Sequence, residues 1–150
     1  MATEKPKDLR ERVLISEEER DVIEALLLTG TYEKEYVDGP IKVVLKEPKK
    51  ENVWIAFQAI KKLLSDNDNE NTFIEKKNDC LLSAYVKSFA VKIGDKTGGN
   101  DFSEKFDEVE YKLNIIKSLS RPVTDILVRA LVDFQKLIET ATSSEKLSNF

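Results

Sequence analysis

The stretch Arg121–Ile138, RPVTDILVRALVDFQKLI, decides how this chain is read. Val123, Ile126, Leu127, Ala130, Leu131, Phe134, Leu137 and Ile138 recur at three- and four-residue spacing. That spacing puts them on one side of a helix, in a stripe wide enough to face a core. Ser120 can cap the start, and Pro122 suits a first turn, where a backbone N–H lacks a partner in any case. Val128 and Val132 fall outside the stripe and leave apolar surface over. Such a helix is either central to a core or shared with a partner. Val123, Leu127, Leu131 and Phe134 are the candidate partner-binding residues.

Immediately upstream, Asp101-Phe102-Ser103-Glu104 opens a further predicted helix. It carries Phe106, Val109, Leu113 and Ile116 at four- and three-residue spacing, a narrow seam. Ser118 to Ser120 break it, so the two helices are expected to form an antiparallel hairpin. Residues 141–150 read as a polar tail.

At the other end, residues 1–12 are charged and read as a disordered or loosely attached tail with no secretory signal. Ser16-Glu17-Glu18-Glu19 is a capping box at a helix start, with acids suited to the positive end of the helix dipole. The helix carries Val22, Ile23, Leu26 and Leu27, and Gly30 can end it. Tyr32 to Leu45 alternates on both sides of Asp38-Gly39, a strong hairpin signal. After Pro48, a second helix is expected to bury Val53, Phe57, Ile60 and Leu64, with Trp54 beside them. Asp66 to Asn71 reads as a polar loop, and Thr72 with Glu75 as another capping box. A helix through Leu81, Leu82, Tyr85 and Val86 follows. Phe89, Val91 and Ile93 then alternate as a third short strand, and residues 96–100 read as a glycine-containing loop. The expected fold is α+β and mostly α, with about five helices and a hairpin or three-stranded antiparallel sheet. A single domain over 13–140 is expected.

Composition narrows the chemistry. The chain has 150 residues, 41% hydrophobic and 35% charged, with net charge −4. An acidic chain is poorly suited to phosphate neutralisation, although a local basic patch remains open. There is no histidine, which removes the commonest general base and most zinc sites. One cysteine, Cys80, excludes an internal disulfide and fits a reducing compartment. No apolar run approaches membrane-spanning length.

The individual motifs read as structure. Asp66, Asp68 and Glu70 have calcium-loop spacing, but Asn71 stands where glycine belongs and Lys77 where the last carboxylate belongs. Gly94-Asp95-Lys96-Thr97 lacks the glycines of a phosphate loop. Cys80 has no histidine to activate it and reads as a structural thiol. The carboxylates Glu17 to Glu19 and Asp107, Glu108 and Glu110 sit at helix starts or on helix faces. Lys46, Lys49, Lys50, Lys61 and Lys62 flank Trp54 and Phe57, a pattern able to bind single strands. Glu47 and Glu51 interrupt it, and the helix seam is expected to turn the aromatics inward. No enzyme, cofactor, metal or small-molecule substrate is indicated.

The order of elements resembles the small tail-assembly proteins of tailed bacteriophages. The capped helix Ser16 to Gly30, the strands either side of Asp38-Gly39, the strand ending Val91-Lys92-Ile93-Gly94-Asp95, and the closing segment Leu119 to Phe134 carry the likeness. The resemblance implies a non-enzymatic factor, in the host cytoplasm or the virion. It would hold a tail-tube, tape-measure or baseplate component, with a second copy of itself as a further partner. A permanent structural subunit and a nucleic-acid-binding regulator are the alternatives.

Overall fold

Ser16 and Glu19 close a reciprocal cap on α1 (Glu17–Thr29). Ser16 Oγ accepts from the Glu19 N–H at 3.1 Å, and Glu19 Oε1 accepts from the Ser16 N–H at 3.1 Å. Gly30 ends the helix at φ 78°, the left-handed conformation that favours glycine. The computed structural model describes residues 14–150, so the expected N-terminal tail lies outside the described residues. The described chain forms two compact units, 14–32 with 135–150, and 33–134.

In the first unit Val22 and Ile23 are fully buried with Ala141, and Leu26, Leu137 and Ile138 pack around them. The expected polar tail belongs to this unit. It forms the short helix α6 (Ser144–Ser148), and Lys146 pairs with Glu19. The Arg20 guanidinium lies over the Phe150 ring at 5.2 Å.

The second unit begins with the expected hairpin, β1 (Glu33–Asp38) and β2 (Ile41–Lys46). Ile41, Val43 and Leu45 point inward and are buried, as their alternation requires. β3 (Val86–Ile93) pairs with β2, and β4 (Lys96–Asp101) pairs with β3. The sheet is antiparallel in the order β1-β2-β3-β4, one strand more than expected. β4 reads as a loop in sequence because Gly98 and Gly99 supply no alternating side chains. Gly99 sits at φ 114°, and a Cβ there would lie 2.0 Å from the Phe89 carbonyl oxygen. The glycine is what lets this strand close on β3.

The helices α2 (Lys50–Leu63), α3 (Glu70–Tyr85) and α4 (Val109–Ile116) pack on one another. Ala59, Ile60, Cys80 and Leu113 form their shared core. Asn69 caps α3 in place of the expected Thr72. Its side chain accepts from the Thr72 N–H at 2.9 Å, and Thr72 Oγ1 accepts from the Asn69 N–H at 2.9 Å. α3 ends at Tyr85 and passes directly into β3, so Val86 is a strand residue. The helix expected from Asp101 begins only at Val109, after a 3₁₀ turn at Ser103–Lys105.

The opening stretch forms α5 (Arg121–Ala141). The Ser120 carbonyl accepts from the Thr124 N–H at 3.1 Å at its start. Arg129 pairs with Asp38 at 2.9 Å, and the Phe134 ring meets Tyr85 edge-on at 6.2 Å. The fold is α+β and mostly α, with six helices among the described residues, five of them substantial.

Gly99→Ala is expected to lower stability by about 1–3 kcal/mol through forced backbone strain. Faster amide exchange across 96–101 should accompany it. An unchanged denaturant midpoint would show that β4 does not need the close approach.

Candidate interaction surface

The buried side of α2 is set by small residues. Asn52, Ala56, Ala59 and Ile60 face inward. At 100° per residue this places Lys50, Trp54, Phe57, Lys61 and Leu64 on the opposite arc. All five are exposed. Trp54 retains 63% of its accessible surface and Phe57 46%. This corrects the expectation that Phe57 and Leu64 line the core with Trp54 beside them. Side-chain bulk favours the other side of the helix, yet Ala56 and Ala59 let the helices approach closely. Lys50 and Lys61 form no ion pair among the described residues. Glu51 is exposed at the other margin of the same outward side, so that side carries lysines and large apolar groups with one acid at its edge.

The candidate binding residues on α5 lie elsewhere. Leu127 and Phe134 retain none of their accessible surface and Leu131 only 2%, and Val123 is half-buried. Of the expected partner-binding residues Leu127, Leu131 and Phe134 are therefore core, because the wide stripe is consumed by packing, and Val123 stays partly exposed at its end. Val132 is the exposed apolar residue of this helix that fell outside the stripe.

A second feature is a polar cleft of about 260 Å³, where Glu75 and Asp79 on α3 meet Lys117, Arg121 and Asp125. Arg121 pairs with Glu75 at 2.8 Å. Burial, with the neighbouring Glu75 charge, raises the Asp79 carboxyl to about 6. Asp79 can therefore exchange a proton near neutrality, and sequence spacing gave no sign of it. The carboxylates singled out from the sequence have other duties. Glu19 caps α1, and Asp107 accepts from Asn52 at 2.8 Å and from Lys49 at 3.4 Å. Both are held below the usual carboxylate range, Glu19 chiefly by Lys146 and Asp107 chiefly by Asn52.

The calcium-like and phosphate-like patterns resolve into turns. Asp68 accepts from Lys76 at 2.8 Å and from the Ser65 N–H at 2.8 Å. Gly94 and Asp95 form the β3–β4 turn, and Lys96 and Thr97 begin β4. Cys80 is fully buried, and burial with nearby Asp79 pushes its thiol up to about 11. A thiol held protonated and covered is a poor nucleophile.

Lys112 on α4 is fully buried. Its Nζ donates to the Val86 carbonyl at 3.0 Å and stands 3.9 Å from the Phe106 ring centre and 6.0 Å from that of Phe102. Burial lowers its pKa to about 7, with Lys46 adding to the shift and Asp107 opposing it. Its place is inside the fold, between α4 and β3.

No protein-family model matches this chain, and no curated protein or solved structure shows a significant match to it.

Because the folded state holds Lys112 with a lowered pKa, the unfolded chain binds more protons between about pH 7 and pH 10.5. Stability from this residue therefore rises with pH across that window, by up to about 1.4 kcal/mol per unit. Lys112→Met should remove this slope. A stability difference between wild type and variant that stays flat from pH 7 to 10 would show that Lys112 titrates normally.

Proposed function

We propose that this protein is a non-enzymatic interaction factor that docks another protein on the Lys50–Trp54–Phe57–Lys61–Leu64 face of α2. The observation that supports it is a tryptophan and a phenylalanine held outward on a helix whose inner side is already filled. Large aromatics are the commonest anchors of binding energy, and exposing them has no benefit to the fold itself. Flanking lysines select an acidic or mixed partner and steer its approach.

We place this role in phage tail or baseplate assembly, where the protein would hold a tail component transiently or remain as a virion subunit. What supports the setting is the order of the sequence elements: capped helix, Asp38-Gly39 hairpin, Gly94-Asp95 turn and closing apolar helix. Among the described residues no helix is long and apolar enough to cross a membrane.

A nucleic-acid-binding role is a second reading. Its support is the same exposed Trp54 and Phe57 beside Lys50 and Lys61, since a single strand can stack on such rings.

Trp54→Ser with Phe57→Ser is expected to leave a cooperative melt within about 0.5 kcal/mol of wild type, because both side chains stand outside the core. Co-purification with the natural partner should be lost. A variant that keeps its partner, or one that melts far below wild type, would contradict docking at this face. Quenching of Trp54 by a single-stranded oligonucleotide, with affinity falling steeply in salt, would favour the second reading.

A further inference from the structure

α1 carries a surface that complements α2. With Val22, Ile23 and Leu26 turned inward, helical geometry places Glu17, Asp21, Glu24 and Leu28 on the outer arc, with Arg20 and Leu27 along one edge, where the Arg20 guanidinium covers the Phe150 ring. Leu27 retains 66% of its accessible surface and Leu28 82%. Glu17, Asp21 and Glu24 are exposed and form no ion pair among the described residues. One helix therefore shows three acids with leucines and Arg20 at the edge, and the other shows lysines with aromatics and Glu51 at the edge, so the two faces remain opposite in net charge.

We infer that the α2 face receives the α1 face of a second copy of this chain. The inference rests on the α2 docking proposal and names its partner. The two helices are each about 20 Å long, so either can cover the other. Their spacing also matches. Asp21 and Leu28 are seven residues apart, as are Trp54 and Lys61. Laid antiparallel, the helices bring Leu28 to Trp54 and Asp21 to Lys61 in one register. Glu24 then lies within a turn of Lys61. The antiparallel arrangement also opposes the two helix dipoles favourably. A single helix pair is small compared with the area of a stable dimer interface, so the contact is weak and sensitive to salt.

Charge exchange tests the pairing. One variant carries Lys50→Glu and Lys61→Glu, and the other Asp21→Lys and Glu24→Lys. Wild-type protein at low salt should gain mass with concentration by sedimentation and lose that gain as salt rises. Each variant alone should associate roughly a hundredfold more weakly, since like charges then face each other. An equimolar mixture should recover association, because each altered face meets an opposite charge on the other variant. Trp54 is the single tryptophan, so its emission should shift to the blue in the mixture and not in either variant alone. Thermal melts of both variants confirm folding. Should a charge reversal unfold the chain, Lys50→Gln with Lys61→Gln, and Asp21→Asn with Glu24→Gln, should each weaken association more modestly.

A wild type that stays monomeric at low salt, or a mixture that stays dissociated, overturns the pairing. If Trp54→Ser with Phe57→Ser still abolishes capture of another natural partner, the docking face stands and only its occupant changes. Self-association that persists unchanged in that serine variant places the contact elsewhere and overturns the pairing, whereas a serine variant that also keeps its natural partner overturns the docking face itself.

Discussion

The unit formed by residues 33–134 depends on covering one face of a twisted sheet. Ile41, Val43 and Leu45 point to that face and would be unstable in water as an isolated hairpin. β3 extends the ladder, and the remaining chain supplies the cover. The register between β2 and β3 shifts between Val44 and Leu45, and Leu45 then faces Val86. At that irregularity the Val86 carbonyl takes a bond from Lys112. A bulge interrupts regular pairing, and a buried polar group near it needs a partner. A long cationic side chain from α4 can reach the place where α3 becomes β3. The ammonium loses most of its hydration there and recovers part of that loss from one carbonyl and the Phe106 ring.

This arrangement explains which parts of the fold were legible. The cap at Ser16, the Asp38-Gly39 hairpin and the alternating strand through Phe89 are local devices, and each appears where its residues placed it. Features that depend on tertiary approach were hidden. β4 is held by the closeness of Gly99 to Phe89, which no periodicity records. The inner side of α2 is chosen by Ala56 and Ala59, which pack because α3 and α4 come near. Bulk predicted the opposite face, and with it the fate of Trp54 and Phe57. Likewise, the apolar stripe of α5 lies where its spacing puts it, but spacing alone does not fix its use, since a stripe serves a core and a partner equally well.

The polar features follow the same division. The Asp68 loop and the Gly94-Asp95 turn lack residues that calcium and phosphate loops require, a difference visible in sequence alone. Asp79 was not visible, because its raised pKa depends on burial beside Glu75 in a cleft formed with residues distant in sequence. Lys112 was hidden for a similar reason. A lysine between Tyr111 and Leu113 reads as a solvated helix position, and only the packing of Phe102, Phe106 and Val86 around it makes it interior.

The exposed faces of α1 and α2 differ from these interior compromises in one physical respect. Leu27, Leu28, Trp54 and Phe57 leave apolar surface in water without satisfying any backbone group or completing any core. Their cost is low for one molecule, since scattered surface apolar groups are common. It becomes useful where copies are concentrated. A weak helix-to-helix contact is nearly empty in dilute solution. Once neighbouring copies are held together on a scaffold, local concentration replaces free diffusion and the same contact fills. In the proposed pairing, the charges around the apolar groups would favour one alignment. Paired in that way, such a surface would add a directed contact within an assembly without requiring any change of fold.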